Sequence, residues 1–593
     1  MCGILSVLRY NDFSCAKIEN IKQNFENHSE RGPEQSTFIE ENINEHIHLL
    51  GFHRLAINGF QKEGSMQPIY KKNCILICNG EIYNWKGLAK KAGVECTTGS
   101  DCEIIIDLYK KYGIEYTLQL LDGVFAFVLI DTEDDTVMIA RDPLGVRPLF
   151  IWFQDLNIFT SIVVASELKL GMEIMNCQPR PFLPGHYLKT ELYPENISAA
   201  TFKNPNILDS LMLPYYNLNI MQNLSIDSVD QTFPLVRESL IQAVKKRVDN
   251  TDREIACLLS GGLDSSLISA LVSRELVNVH GRKPQDLHTW SIGLEGSEDL
   301  KFAKIVAEFI ESTHHEIKLS EEEFLDAIPD VIKTIESNDT TTIRASVGNW
   351  LICKYIKENS DAKVIFNGDG SDEVTGGYLY FHAAPNPLEF DRECKRLLKD
   401  IHYFDVLRSD RSISSHGLEA RTPFLDRGFI QSYLSIPDVL RDHGYNKQCE
   451  KFILRKAFED MDILPKEVLF RTKEAFSDGV SKSTRSWFQI IQEFASKKYK
   501  EPDLKKAEQK YYDNIFYDYY ANMYALRSVA CSREVFLSKV MPYKWMPRFV
   551  NATDSSARTL KIYNTVSNNK VAPRSDLLEE WQMENAIASS LAQ

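Results

Sequence analysis

At 593 residues the chain is too long to fold around one hydrophobic core, so two or more domains are expected. A net charge of −15 disfavours wholesale binding to nucleic acid or anionic membranes, and no run reaches the roughly 18 apolar residues of a membrane span. Twelve scattered cysteines in so long a chain form no disulfide framework, and the first residues lack the basic start of a secretory leader; a reducing intracellular compartment is expected.

Short apolar runs at 4–8, 47–52, 75–78, 124–130, 137–140 and 149–153, punctuated by Gly, Asn and Asp, predict strands, and 103–112 predicts a helix. The pattern suits stacked antiparallel sheets with helices outside. Cys74 and Cys78 fall in one apolar run, so burial in a strand outweighs metal ligation for them, and no His/Cys cluster completes a site with Cys96 and Cys102.

Cys2 follows the initiator Met1. Removal of Met1 would leave a thiol beside its own α-amine, whose reference pKa of roughly 7.7–8.0 lets it serve as a general base. Arg54 could hold a carboxylate in bidentate fashion. Asn79 and Gly80 could donate N–H groups to an oxyanion, and Glu81 and Asp101 could accept from an ammonium. Taken singly, each of these residues fits a capped turn or a surface group equally well.

The segments Met1-Cys2-Gly3-Ile4, Arg31-Gly32-Pro33, His53-Arg54-Leu55, Asn79-Gly80-Glu81-Ile82-Tyr83-Asn84, Gly99-Ser100-Asp101-Cys102-Glu103 and Arg141-Asp142-Pro143-Leu144-Gly145 together resemble the glutaminase domain of class II glutamine amidotransferases. That resemblance implies an αββα sandwich of the N-terminal nucleophile hydrolase type. It implies Cys2 as nucleophile and Arg54 on the glutamine carboxylate, with Leu55, Ala56, Ile57 and Asn58 beside it. Asn79 and Gly80 become the oxyanion hole, and Glu81 with Asp101 the α-amino site. One departure is Glu30, where the family has His before Arg-Gly-Pro. The domain is expected over 2–190.

A Pro/Asn-rich connector is expected at 191–230. Beyond it, helical patterns at 233–248, 265–279 and 300–311 alternate with strand patterns at 254–259, 287–293 and 364–367, which argues a parallel sheet with covered faces. Between the first strand and helix lies Leu259-Ser260-Gly261-Gly262-Leu263-Asp264-Ser265-Ser266. Its glycines and hydroxyls at a helix start suit phosphate, it has no Walker lysine, and Asp264 offers an oxygen to Mg²⁺. A second loop, Asn367-Gly368-Asp369-Gly370-Ser371-Asp372-Glu373, ends the last strand, with Asp372 and Glu373 as candidates for metal and substrate.

The first loop resembles the pyrophosphate loop of ATP pyrophosphatases. With Ser291-Ile292-Gly293-Leu294, Thr340–Ser346, Gly376–His382, Gly417–Asp426 and Lys473–Val480, most of the chain resembles the asparagine synthetase family. The resemblance implies a parallel-sheet α/β ATP-pyrophosphatase domain over 231–563, with ATP on Leu259, Ile292, Asn367 and Gly368 as well as the loop Ser260–Ser266. It implies Arg344 and Lys473 against phosphate charge, Mg²⁺ on Asp264 and Asp372, and catalysis through β-aspartyl-AMP. Arg421 stays open between a structural and a substrate-holding role. Asn367 and Asp369 depart from the family's Ser-Gly-Glu-Gly-Ser-Asp-Glu. The Asp369 carboxylate is about 1.5 Å shorter in reach, and a misplacement of that order can cost about 10² in rate.

The expected substrates are aspartate, glutamine and ATP, with neutral ammonia crossing an apolar passage, no nucleic acid or membrane partner, a cytoplasmic location and a homodimer. The competing expectations are a related ATP-dependent amide-forming ligase and a catalytically impaired regulatory scaffold. Residues 564–593 are polar and are expected to form a mobile tail.

Overall fold

The computed structural model describes residues 1–523 apart from 11–14, 45, 60–61, 63, 156–159, 173, 175–178, 193–210, 474–475 and 483. The expected tail lies outside the described residues, as does part of the expected connector. In chain order the strands of the first part are β1 (Gly3–Tyr10), β2 (Gln35–Ile43), β3 (His46–Arg54), β4 (Ile69–Lys71), β5 (Cys74–Ile82), β6 (Gly123–Asp131), β7 (Thr136–Arg141), β8 (Phe150–Asp155), β9 (Thr160–Ala165), β10 (Arg180–Pro181), β11 (His186–Glu191) and β12 (Leu213–Pro214). They form two six-stranded sheets, ordered β10-β8-β9-β1-β3-β2 and β12-β11-β7-β6-β5-β4.

Strand alternation explains how the sheets stack. Ile4 and Leu8 of β1 meet Ile75 and Ile77 of β5 and Ala126, Val128 and Ile130 of β6 in one core between the sheets. The alternate residues Leu76, Phe125, Phe127 and Leu129 point outward, into a core with Leu88 and Ile104–Ile106 of the helices Trp85–Ala92 and Ile104–Tyr112. On the far face of the other sheet, Leu5, Val7 and Trp152 pack on Ile18, Ile21 and Phe25 of the helix Cys15–Glu26. The layers are therefore αββα. Cys74 and Cys78 are buried strand residues, as their sequence context suggests.

The second part holds one all-parallel sheet of β13 (Ile255–Leu258), β14 (His288–Leu294), β15 (Thr313–Leu319), β16 (Val364–Phe366) and β17 (Glu419–Arg421), in the order β15-β14-β13-β16-β17. The order reverses between β13 and β16, and ligands bind such sheets where the chain leaves at that switch point. β13 runs into the Leu259–Ser266 loop and β16 into the Asn367–Glu373 loop, so both sequence motifs open onto the same crevice. Helices Thr232–Val248, Leu263–Asn278 and Thr340–Asn359 cover the sheet faces.

The two parts meet across buried charge. Arg31 Nη1 donates to Asp410 Oδ2 at 2.8 Å with both side chains almost fully buried, and Arg147 lies 3.4 Å from Glu419. Glu336 accepts the backbone N–H groups of Leu168 and Lys169 at 3.0 and 3.1 Å and pairs with Arg411 at 3.3 Å. Removing one member of such a pair leaves an uncompensated buried ion, a loss of about 3–5 kcal/mol, whereas replacing both with apolar groups is often neutral. Arg31→Met is therefore expected to lower the unfolding midpoint in a calorimetric or denaturant scan, and the double variant Arg31→Met/Asp410→Leu to recover most of the loss.

Candidate active sites

The first site forms where β1, β3 and β5 end. Gly3 pairs with His53 across β1 and β3, which sets Cys2 beside Arg54, and the Cys2 thiol donates to the Leu55 carbonyl at 3.6 Å. By strand parity Cys2 follows Ile4, and Asn79 follows Ile75 and Ile77, into the space between the sheets. Asn79 is 1% exposed, and neither its side-chain nitrogen nor its oxygen has a hydrogen-bond partner. A buried orphan amide is costly unless a ligand completes it, so Asn79 is poised for an incoming oxyanion. Gly80 admits no side chain, because a Cβ would lie 2.5 Å from the Val124 carbonyl oxygen.

Arg54 is steadied by Ser65 Oγ at 2.5 Å and the Gly59 carbonyl at 3.3 Å, and the Ala56 N–H donates to Glu34 at 2.7 Å. Leu55 and Ile57 are buried, in a core shared with the second domain. Asn58 donates to Glu81 Oε2 at 2.7 Å, and Asp101 accepts the Ile82 N–H at 2.6 Å. Burial raises the pKa of both Glu81 and Asp101, Glu81 further through the charge of Asp101. A ligand ammonium would relieve that strain. Burial also raises the Cys2 thiol, while the neighbouring amine lowers it. The Met1 amine, hydrogen-bonded to the Leu418 carbonyl at 3.2 Å, is itself pushed down to about 6 by burial. Glu30, at the position where the family has His, lies 3.8 Å from Lys169.

The second site is a cavity of about 340 Å³ at the switch point of the parallel sheet. Leu259, Ser260, Gly262, Asp264, Ser265, Ile292, Asn367, Gly368, Asp369, Asp372, Glu373 and Lys473 all line it. Gly261, with φ +73°, and the fully buried Ser266 sit in the same loop but outside the cavity lining. Gly368 must be glycine, since a Cβ would come within 2.7 Å of the Ser265 nitrogen in the facing loop.

A lysine that sequence reasoning missed organises the charge here. Lys451, 2% exposed, reaches Asp264 at 2.5 Å and Asp372 at 2.6 Å, and Lys473 pairs with Asp372 at 2.6 Å. Burial opposes the Asp372 carboxylate, but the two lysines outweigh it and hold its pKa below the usual range. Lys451 stands in Gln448-Cys449-Glu450-Lys451-Phe452, without the glycines or clustered acids that mark the two loops. The only sequence signal was its place directly before the helix Phe452–Phe458.

The structure does not bring Arg344 into the lining of this cavity. Thr341, Thr342, Ala345, Asn349 and Ile352 of its helix line the cavity, but Arg344 is turned off that face. Its guanidinium forms a two-pronged pair with buried Glu508 at 2.7 and 2.5 Å and lies over Phe488. The cations that do line the cavity include Lys451, Lys473, Arg471 and Arg408. Arg408 bonds Asp369 Oδ1 at 3.1 Å and also holds Asp405, while Asp369 Oδ2 is buried without a partner. The shortened acid is thus built into a pair of carboxylates sharing one guanidinium. Burial raises Asp405 to about 6, with Asp369 adding to the rise and Arg408 opposing it.

The residues that could hold a divalent metal are Asp264 and Asp372. Both are oxygen donors facing the cavity beside Ser260 and Ser265, a donor set that suits hard Mg²⁺ shared with phosphate.

A family model described as asparagine synthase matches residues 235–389 and 384–525, and one described as a glutamine amidotransferase domain matches residues 1–192. Proteins named asparagine synthetase [glutamine-hydrolyzing] are 40% identical to the chain. That of Cricetulus griseus aligns over 96% of this chain and 100% of its own length. Those of Gallus gallus and Homo sapiens each align over 95% of this chain and 99% of their own length.

The Asp405 carboxyl is neutral below and ionised above about pH 6. Ionised Asp405 anchors Arg408, which in turn steadies Asp369, so aspartate-dependent pyrophosphate release should rise through that pH. In Asp405→Asn the step should disappear from the pH–rate profile, and an unchanged step would show that another group is responsible.

Proposed function

The chain belongs to the glutamine-hydrolysing asparagine synthetase family, and from that premise we propose how its residues divide the reaction. The protein joins nitrogen from glutamine to aspartate at the expense of ATP. In our reading Cys2, exposed by removal of Met1, attacks the glutamine side-chain amide. Its own α-amine takes the thiol proton, an amine whose reference pKa of roughly 7.7–8.0 leaves a useful fraction unprotonated near neutral pH. Asn79 and Gly80 receive the oxyanion, Arg54 the α-carboxylate, and Glu81 with Asp101 the α-ammonium. The intermediate collapses to a thioester and ammonia, and water releases glutamate.

In the second cavity the β-carboxylate of aspartate attacks the α-phosphorus of ATP, giving β-aspartyl-AMP and pyrophosphate. Lys451 and Lys473 hold the leaving phosphates, and the Ser260–Ser265 loop cradles them through backbone N–H groups and hydroxyls. Mg²⁺, on Asp264 and Asp372, would supply charge neutralisation at the phosphate oxygens. In our reading Asp369, which pairs with Arg408 and lines the cavity, faces the acyl group as ammonia displaces AMP. A domain division at 190 and 231, a homodimer and a cytoplasmic location belong to the same reading. Among the described residues no helix is long and apolar enough to cross a membrane.

One observation carries the proposal: single elements touch both sites. The helix Asp405–Ser414 contributes Asp405 and Arg408 to the nucleotide cavity. Within two further turns its Asp410 and Ser414 hold Arg31, whose Nε donates to the Cys2 carbonyl at 3.1 Å. In our reading, ammonia released at Cys2 crosses to the second cavity in the neighbourhood of this helix.

Cys2→Ala is expected to lose glutamine-dependent asparagine formation by at least about 10³ while keeping ammonia-dependent formation within a few fold, by product mass and pyrophosphate assay. Loss of both activities with the fold intact would contradict the division. No aspartate-dependent pyrophosphate from the parent would favour a regulatory scaffold.

A further inference from the structure

Arg421 is fully buried on the edge strand β17, and its two ends face different sites. Its guanidinium lies 3.3 Å from Glu81 Oε2, bonds Glu419 at 2.7 Å and the Asn250 carbonyl at 3.1 Å, and sits over the ring of Tyr83. The Asn250 side chain donates to the same Glu81 oxygen at 3.0 Å and reaches Asp101 at 3.5 Å. The pocket assigned above to the glutamine α-ammonium is therefore walled on one side by the synthetase half.

The other end of Arg421 is its backbone carbonyl. Phe366 pairs with Arg421 in the parallel register of β16 and β17, and the Arg421 carbonyl accepts the Asn367 N–H at 3.1 Å. Asn367 and Gly368 open the acidic loop and line the nucleotide cavity, and Gly368 presses against Asp264 and Ser265 of the phosphate loop. One residue thus spans from the Glu81 carboxylate, assigned to the α-amino group of one substrate, to the backbone of the loop that lines the cavity assigned to the other.

We propose that Arg421 is a positioning residue coupling the two pockets: glutamine on Glu81 and nucleotide on the Asn367–Gly368 loop fix it from opposite ends, so each ligand favours the other. The proposal rests on the glutamine reading of Glu81 and Asp101. The coupling follows because a ligand that fixes the guanidinium also fixes β17, and ordering done by the first ligand need not be repeated by the second. By linkage the effect is the same factor in either direction.

The test uses full-length Cys2→Ala protein, which binds glutamine without turnover. Glutamine is titrated calorimetrically with and without saturating α,β-methylene-ATP and Mg²⁺, and the nucleotide analogue with and without glutamine. Each ligand should tighten the other by at least about threefold. Added Arg421→Lys keeps the buried cation and the fold, but one ammonium cannot serve Glu81, Glu419 and the Asn250 and Arg247 carbonyls together. In it, and in Arg421→Met, the ratio should fall to within about 1.5-fold of unity while both ligands still bind. A ratio kept in both variants, or a ratio of one without them, overturns the proposal. Absence of glutamine binding, or its persistence in Cys2→Ala/Glu81→Gln, instead refutes the glutamine reading and removes the proposal on that separate ground.

Discussion

Charge buried between the two halves of the chain is the constraint on which the rest depends. Arg31, Arg147 and Arg421 meet Asp410, Glu419 and Glu81 with almost no solvent contact. An ion in that setting is tolerable only with its partner at hydrogen-bonding distance, so the network admits one relative placement of the sandwich and the parallel sheet. Burial disfavours the Glu419 carboxylate, yet Arg421 and Arg147 outweigh it and keep its pKa low. The same placement gives the first site a wall from the second domain and sets a single helix against both sites. Close pairing of buried charge leaves little room for water at the seam between the halves, as the proposed hand-over of neutral ammonia would require.

The two sites use opposite electrostatics. At the proposed glutamine pocket, carboxylates outnumber the nearby cations that reach them, burial raises Glu81 and Asp101, and a cationic ligand group would complete the balance. At the nucleotide cavity, Lys451 and Lys473 hold Asp372 ionised, and burial of the Lys473 ammonium is outweighed by Asp372 and Asp264. That cluster is suited to polyphosphate, whose charge needs fixed cations and a hard metal. Each pocket is strained in the sense its substrate relieves.

Periodicity made the inner elements legible. The runs at 75–78 and 124–130 lie within β5 and β6, because strands buried on both faces are continuously apolar. The half-exposed edge strand β2, Gln-Ser-Thr-Phe-Ile-Glu-Glu-Asn-Ile, carries too much polarity to announce itself, and β15, Thr-His-His-Glu-Ile-Lys-Leu, is another edge strand of the same kind. β17, Glu-Ala-Arg, is unreadable in principle: its charges are buried because partners from another domain meet them. The glycine-rich loops were legible because close backbone approach forces their composition, as at Gly368. Lys451 and Arg344 were not, since an isolated cation carries no local sign of its partner. Glu508 claims Arg344, and Asp264 with Asp372 claim Lys451, from 164, 187 and 79 positions away in the chain.

The central claim is that one polypeptide carries ammonia from Cys2 to the activated carboxylate without releasing it. Glutamine labelled with ¹⁵N in its side-chain amide, supplied with ATP, aspartate and an excess of unlabelled ammonium, tests this most directly. By mass spectrometry of the first turnovers, asparagine should carry ¹⁵N well above its share of the total ammonia pool. Asparagine labelled only in proportion to that pool would contradict the account.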